Sequence, residues 1–294
     1  MTTTALRTTG AGLPGRGPAR AAAAAAARAR WANLLWLLPV LALYAAGLLL
    51  PLGITVQRAF ELGAAGWGEL LQNSLFTGAA LNTAIDSAGI TVVAVLLAYS
   101  LAAAIWRSAP VTRAVLTTLV VIAFLTTVLV KVVAFNALLR DNGVVNTLLL
   151  ALHAIDEPLR LFPGRPAMII CMIQFAVPFA IFPILGVMVR LDKRIEQAAE
   201  SLGASPWRVF VHVVLPLTLP GVIAAALLVF VICTGFYVIP ATLGTPRDQL
   251  LANIVALYAL QLVDFKVASA VAMVLVVVVG VLTVLYQRAE RATH

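Results

Sequence analysis

The sequence has little charge: only 11% of its 294 residues are Asp, Glu, Lys or Arg, while 62% are hydrophobic and the mean hydropathy is +1.03. Soluble domains carry about a quarter charged residues, so this composition excludes a water-soluble globular protein and favours a polytopic membrane protein. Cysteine and histidine are also scarce, at two and three residues. Because Cys171 and Cys233 both lie inside apolar stretches, we predict neither a disulfide framework nor a metal site.

Sequence features of several enzyme classes are also missing. None of the three lysines (Lys131, Lys193 and Lys266) is followed by Ser or Thr, so no phosphate-binding loop occurs. The spans contain no Ser-His-Asp set and no paired catalytic carboxylates, which disfavours a membrane-embedded enzyme. The pI of about 10.2 does not indicate nucleic-acid binding, because the basic residues flank apolar spans and no nucleic-acid motif accompanies them.

A helix that crosses a bilayer needs about 20 mostly apolar residues, and six stretches of the sequence are that long. Lipid leaves open backbone groups unsatisfied, and stretches this long and continuously apolar are helices rather than barrel strands. The sequence therefore predicts an all-α membrane protein with six transmembrane helices. The predicted spans are 33–56, 84–106, 114–139, 167–189, 217–240 and 268–286.

The distribution of Lys and Arg predicts the orientation of these spans. Thirteen basic residues fall on the side of the two termini and the 190–216 loop, against six on the other side, with Lys131 inside a span. Basic residues concentrate on the cytoplasmic side, so both termini and this loop are predicted to be cytoplasmic. The Ala-, Gly- and Arg-rich residues 1–32 are predicted to form a disordered tail, residues 33–287 the transmembrane domain, and residues 288–294 a short C-terminal tail.

Two loops on the predicted outer side have helical character. Residues 142–153 are typical of a short amphipathic helix on the membrane surface or beneath a partner. Residues 250–262 form an apolar segment between the last two spans, and we expect a re-entrant or interfacial helix there.

The 190–216 loop is predicted to contain two short helices joined at a bend. Apolar residues at helical spacing, from Leu191 to Leu202, give the first helix one apolar face. Gly203 is a natural helix stop, Ser205 a natural N-cap, and Pro206 fits the first position of the second helix. Such a corner on the cytoplasmic face suits the transmission of a push, although the same pattern is also compatible with an ordinary folded loop.

This loop resembles the EAA loop of permease subunits in bacterial ABC importers. That motif runs Glu-Ala-Ala, three residues, Gly, nine residues, Ile, one residue and Leu-Pro; here Gln197-Ala198-Ala199, Gly203, Val213 and Leu215-Pro216 keep the spacing. Gln replaces the glutamate and Val the isoleucine, and the neighbouring Glu196 or Glu200 can supply the missing charge. The resemblance implies that the loop docks an ATPase through Glu196, Gln197, Ala198, Ala199, Glu200, Ser201, Leu202, Gly203, Ala204, Ser205 and Pro206.

Flanking segments extend the resemblance to the spermidine/putrescine-type branch, from span two to the C-terminus. They include Asn142-Gly143, the run 215–221 (Leu-Pro-Leu-Thr-Leu-Pro-Gly) and the run 235–240 (Gly-Phe-Tyr-Val-Ile-Pro). The resemblance implies a type I ABC importer permease fold, and a chain without a cofactor of its own because ATP and magnesium belong to the ATPase. The implied partners are an ATPase dimer, a second homologous permease, an extracytoplasmic solute-binding protein and the bilayer.

The resemblance also implies alternating access, with spermidine or putrescine as the expected solute. Other small amines, amino-acid-like solutes, phosphonates and metal chelates remain open. The alternative function is a stand-alone secondary transporter or channel, although no inverted repeat with paired broken helices is visible. A structural membrane scaffold would leave the docking motif unexplained.

Several polar and aromatic residues inside the spans are candidates for the translocation path. Ionisable residues inside a membrane usually face a cavity or a partner. Asp86 and Lys131 are predicted to lie at similar depth in the membrane. Three interpretations are open: the two residues form a structural pair, they line the path, or the Lys131 side chain extends outward to the membrane surface. Gln174, Phe236 and Tyr237 are further path candidates, since aromatic faces attract organic cations, although aromatic residues near span ends more often anchor a helix. Asn136 and Asp264 are weaker candidates.

Overall fold

The structure is a computed structural model that describes residues 17–292. Side chains are described from residue 38 onward, except at 193, 197, 200, 285, 286 and 289–292. The elements of the described residues are all helical. Five helices are long and apolar enough to cross a membrane, and one bent helix pair makes a sixth if it counts as a single span. The predicted all-α, six-span architecture is therefore confirmed, with one span broken.

The chain divides after Ile54 into two compact units. Helix α1 (Gly17–Glu61) begins within the first unit, and its apolar part, Leu38–Glu61, has the length of a membrane span. The helix includes the alanine run 21–27. Alanine has the highest helix propensity of any residue type. The predicted disordered tail at 1–32 thus overlaps α1 from Gly17, and residues 1–16 lie outside the described part of the chain.

The second unit contains the remaining helices. Helix α2 (Gly63–Gln72) is followed by Asn73, whose side-chain oxygen accepts a hydrogen bond from the Leu75 backbone N–H at 2.8 Å and caps helix α3 (Ser74–Arg107). With 34 residues, α3 is about 51 Å long, which exceeds the roughly 30 Å of a bilayer core. The predicted span 84–106 is therefore the second part of a longer helix.

The predicted third span, 114–139, is not continuous. Helix α4 (Pro110–Leu125) ends before Thr126 and Thr127, whose ψ values of 125° and 151° are extended, and helix α5 (Val128–Leu139) begins after them. The chain bends by 96° at this break. Both residues are β-branched, and the Thr126 hydroxyl donates to the Ile122 carbonyl, which offers the backbone an alternative to a further helical turn. Helix α6 (Val144–Ala151) then confirms the helix predicted at 142–153.

Helix α7 (Arg165–Met188) packs against α3 and against the later helix α10 (Leu215–Thr234), and these three form the centre of the main apolar core. Gly221 permits a close approach of α10 to α7. A Cβ atom at Gly221 would lie 2.9 Å from Cγ2 of Val187 and 3.0 Å from the carbonyl oxygen of Pro183. The approach therefore depends on the absence of a side chain at this position.

Between α7 and α10 lie helix α8 (Lys193–Ser201), helix α9 (Pro206–Val209) and a π-helical turn (Phe210–Val214). Helix α9, the π-helical turn and α10 form one continuous helical segment, Pro206–Thr234. Span five was predicted at 217–240, and both ends are wrong. The helix extends back into the loop because the π-turn accommodates Pro216, and it ends at Thr234, directly before Gly235. Residues after the stop form helix α11 (Val238–Leu243).

The apolar segment predicted at 250–262 is confirmed as helical, with helix α12 (Leu251–Ala256) and a second π-helical turn (Leu257–Gln261). Its start is fixed to α3, because the Leu251 backbone N–H donates to the Thr83 hydroxyl at 2.8 Å. Leu251 and Ile254 are buried in a second apolar cluster with residues of α3 and of helix α13 (Phe265–Ala292). Helix α13 contains the predicted sixth span.

Candidate functional site

The 190–216 loop forms the predicted helix–glycine–helix corner. The Asp192 side chain accepts a hydrogen bond from the Arg194 backbone N–H at 2.9 Å and so caps the start of α8. After α8, Gly203 has φ +86°, in the left-handed region that favours glycine. The chain then turns into α9 at Pro206, with Ser205 at the N-cap position but without a side-chain capping bond. The corner predicted from Gly203 and Pro206 is present.

The tip of the corner exposes large apolar side chains. Leu202 is 90% exposed and Trp207 is 71% exposed, and both lie beside polar residues in the sequence of the loop. Exposed large apolar groups that cluster together mark interaction surfaces more often than isolated ones do. The side chains of Gln197 and Glu200, two of the predicted docking residues, lie outside the described part of the structure.

Glu196, another predicted docking residue, is bonded within the chain. Its Oε1 atom accepts a hydrogen bond from Nη2 of Arg107 at 2.6 Å, and its side chain is 20% exposed. Arg107 occupies the last turn of α3, where a cation is favoured by the helix dipole. The contact places the end of α3 and the start of α8 on one face of the molecule, which we name the loop face.

Aromatic rings connect the base of the loop to α3. Trp207 stacks on Phe210 with ring centroids 5.6 Å apart, and Phe210 meets Tyr99 of α3 edge to face at 5.8 Å. The Tyr99 hydroxyl is in turn 3.0 Å from the Thr218 hydroxyl of α10. This row of contacts runs from the exposed tip into the core between α3 and α10.

Asp86 does not pair with Lys131, and that part of the prediction is wrong. Asp86 is 3% exposed and accepts two hydrogen bonds on Oδ1 from Arg165, at 3.0 Å from Nε and 2.6 Å from Nη2. Arg165 begins α7, which packs directly along α3, so its guanidinium reaches Asp86. Asp86 Oδ2 is buried without a hydrogen-bond partner among the described residues. An ionisable residue within a span needs a partner at its own depth, and Arg165 at the start of span four fits that requirement.

Lys131 is 5% exposed and has no carboxylate partner in the described part of the chain. Its ammonium instead lies 5.1 Å from the ring centroid of Phe175 on α7. The same ring packs against Phe236 at 4.7 Å. Phe175, which sequence reasoning missed, therefore brings two of the predicted path residues together, and such a cation–aromatic contact is favourable when water is excluded.

The two remaining path candidates have different surroundings. Gln174 lines an apolar groove of about 630 Å³ between α3, α4, α5 and α7, and its Oε1 atom is buried without a partner among the described residues. Tyr237 is half-exposed, and its backbone carbonyl accepts a hydrogen bond from Asn253 at 3.1 Å. Of the weaker candidates, Asp264 caps α13 by accepting from the Lys266 backbone N–H.

No group of three or more His, Cys, Asp or Glu side chains that could hold a metal ion occurs among the described residues. Cys171 and Cys233 are buried free thiols.

Comparisons with known proteins identify relatives of this chain. Residues 90–292 match the family described as "Binding-protein-dependent transport system inner membrane component". The spermidine/putrescine transport system permease protein PotB of Haemophilus influenzae (strain ATCC 51907 / DSM 11121 / KW20 / Rd) is 31% identical over 221 residues, which cover 75% of this chain and 77% of that protein. PotB of Salmonella typhimurium (strain SL1344) is 31% identical over 179 residues, or 61% of this chain and 62% of the relative, so the match spans less than two thirds of that protein.

The fold also matches a solved structure. A chain in the crystal structure of a bacterial alginate ABC transporter, in complex with an alginate pentasaccharide-bound periplasmic protein, superposes with a TM-score of 0.72. That match has 20% sequence identity and covers 90% of this chain and 96% of the other, so it establishes the type I permease fold. Since the family match extends over more than half of the sequence, this chain belongs to the inner membrane components of binding-protein-dependent transport systems.

Proposed function

We propose that this chain is the permease subunit of an ATP-driven ABC importer that moves a small organic amine, with spermidine or putrescine as the best candidates, into the cytoplasm by alternating access. The family membership and the two PotB relatives support a transport subunit and the polyamine branch. The chain itself catalyses no reaction in this proposal, and ATP and magnesium bind to a separate ATPase.

The observation that carries the proposal is the exposed apolar tip of the corner. Leu202 and Trp207 face solvent, and the segment that follows Pro206 continues without a break into span five. A partner that binds the tip therefore contacts the start of a continuous helical segment whose other end lies in the membrane. An ATPase dimer is the partner that the loop motif implies, and in this proposal the loop face and both termini lie in the cytoplasm.

The remaining partners complete the transport cycle. A second homologous permease would cover exposed apolar faces of the spans, such as that of α4, and form the path together with this chain. An extracytoplasmic binding protein would deliver the solute at the opposite face. On ATP binding the ATPase dimer closes and moves the loop, the spans open outward to receive the solute, and hydrolysis resets them.

The path is proposed to pass the aromatic residues around Phe175, with Gln174, Phe236 and Tyr237 contributing to its wall. Lys131 lies on the Phe175 ring and Asp86 lies in an ion pair with Arg165. Aromatic faces stabilise organic ammonium groups. The Phe175 ring is already occupied by the Lys131 ammonium, which repels an amine solute, so the polyamine assignment rests on the PotB relatives and not on these residues.

Co-purification from detergent-solubilised membranes, with mass spectrometry of the recovered subunits, tests this proposal. We expect the tagged chain to bring with it a Walker-motif ATPase and a second six-span permease. Leu202→Asp should abolish recovery of the ATPase because it places a charge in an apolar contact, whereas Leu202→Met, the matched control, should retain it. Recovery of the chain alone, under conditions that preserve known transporter complexes, would instead support a self-sufficient transporter or channel.

A further inference from the structure

Two of the described contacts join the loop to α3, although α3 is far from the loop in sequence. The first is the ion pair between Glu196 of α8 and Arg107 of α3, at 2.6 Å. The second is the edge-to-face contact between Phe210 and Tyr99 of α3, with ring centroids 5.8 Å apart. One contact lies before Gly203 and the other after it, so both arms of the corner are attached to the same helix.

The two arms differ in how they reach the membrane. The arm after Gly203 is continuous with α10, and Tyr99 also binds Thr218 of α10. The arm before it, α8, reaches the second arm through residues 202–205, where Gly203 has φ +86°, and through apolar packing, since Ile195 lines a small cavity together with Val213 and Leu217. The same cavity is lined by Trp106 of α3, so α8 is held against α3 by apolar packing as well as by the ion pair.

The Glu196–Arg107 ion pair is the charged contact of this junction, and it joins the first turn of α8 to the last turn of α3. Glu196 is mostly buried by its surroundings, whereas the Arg107 side chain is 49% exposed, so the pair contributes little to folding stability as exposed pairs generally do. It nevertheless fixes the position of α8 against the last turn of α3. We propose that Arg107 and Glu196 are positioning residues that transmit the displacement of α8 to α3, and this inference rests on the proposed ATPase-coupling function of the loop.

Helix α3 can carry such a displacement across the membrane. Asp86 and Arg107 lie roughly 20 positions apart on one unbroken helix, which corresponds to about 30 Å, the thickness of a bilayer core. Asp86 is bonded to Arg165 at the start of α7, so α3 has one interhelical ion pair near each end of its membrane part. A movement at Arg107 therefore reaches the α3–α7 contact at the opposite face directly.

This assignment changes the role of Glu196. Glu196 lies in the docking motif, next to Gln197, the position at which this sequence lacks the glutamate of the motif. The Glu196 carboxylate binds Arg107 of the same chain. Glu196 consequently acts on the membrane helices, and ATPase binding is left to the exposed tip around Leu202.

Charge reversal of the pair in the reconstituted transporter tests the proposal. The complex of this chain with its ATPase, partner permease and binding protein is placed in proteoliposomes, and ATP hydrolysed per labelled spermidine imported is measured. Arg107→Glu and Glu196→Arg should each raise this ratio roughly fivefold or more, in the range of typical coupling effects, without loss of ATPase from the complex. The double variant should restore the ratio, and Arg107→Lys should stay near the original value.

Arg288→Glu is the matched control, because it reverses an exposed basic residue that belongs to α13 and not to the loop or α3, and it should leave the ratio unchanged. Normal ratios in both single variants, with an active unaltered transporter, would overturn the positioning role and leave the proposed function standing. Loss of bound ATPase in Arg107→Glu would also overturn it, since Arg107 would then belong to the docking surface. An unaltered complex whose hydrolysis is independent of uptake would overturn both the positioning role and the proposed function.

Discussion

Gly221 allows α10 to lie against α7, and we expect Gly221→Ala to weaken this packing. The new methyl group would lie 2.9 Å from Cγ2 of Val187 and 3.0 Å from the Pro183 carbonyl oxygen. Both distances are shorter than ordinary van der Waals contact, and neither neighbour adapts easily, because one side chain is β-branched and the other atom is backbone. Overpacking of this kind costs about 1–3 kcal/mol.

A second effect of the same substitution has the opposite sign. Alanine stabilises a helix interior relative to glycine by about 0.5–1 kcal/mol. Gly186→Ala in α7 is the matched control, because a Cβ atom there meets nothing within 4 Å and only the helix effect remains. The two variants should therefore differ by the packing cost alone, about 1–3 kcal/mol, which corresponds to roughly 2–10 °C in unfolding temperature.

The assay is size-exclusion chromatography of the fluorescently tagged chain in detergent after heating at increasing temperatures. Gly186→Ala should raise the temperature at which half of the monodisperse peak is lost, and Gly221→Ala should fall below it by the stated margin. Equal midpoints for the two variants would refute the close approach of α7 and α10 at Gly221.

Three further predictions concern the charged residues and the loop. Asp86→Ala removes two hydrogen bonds to Arg165 and should lower stability by about 2 kcal/mol in the same assay, whereas an unchanged midpoint would contradict a formed ion pair. Lys131→Met replaces a buried cation without a carboxylate partner and should raise the stability of the fold by on the order of 1 kcal/mol. A clear loss of stability would show that the contact with Phe175 more than compensates the cost of burying the charge. Gly203→Pro should uncouple ATP hydrolysis from uptake while the spans still insert, because proline cannot adopt φ +86°, and uptake equal to that of the unaltered chain would contradict the role of the corner.

The positions of most spans follow from hydropathy, because lipid selects long apolar helices whatever their packing. The break between α4 and α5 does not follow in this way. It occurs at Thr126 and Thr127, in a run without glycine or proline, where the hydroxyl of Thr126 bonds back to the preceding turn. Threonine in an apolar helix often causes no break, so the bend depends on how α5 packs against α7.

The structure of the loop also follows only in part from the sequence. Gly203 and Pro206 predict the corner by local backbone chemistry, and both occupy the expected positions. The continuity of α9 with α10 across Pro216 was missed, because proline there was interpreted as the start of a helix. The Leu215 N–H bonds to the Phe210 carbonyl in a π-helical turn, and this wider turn keeps the helix continuous.

The ion-pair partners depend on tertiary packing. Sequence depth made Lys131 one possible partner of Asp86, but the packing of α7 along α3 brings Arg165 to Asp86 instead. Arg107 and Arg165 were counted only as residues that set orientation, although each pairs with an acidic residue of the predicted site. The basic residues that set orientation are thus also the available partners for acidic residues near the membrane boundaries.

The central claim is that this chain moves a small amine in response to ATP hydrolysis on a docked partner, and ATP-dependent uptake tests it most directly. The purified complex is reconstituted into proteoliposomes with ATP enclosed and with the binding protein and labelled spermidine outside. The account predicts accumulation of spermidine that requires enclosed ATP and is lost with Gly203→Pro. Accumulation that is independent of ATP, and equal with the Gly203→Pro variant, would contradict it.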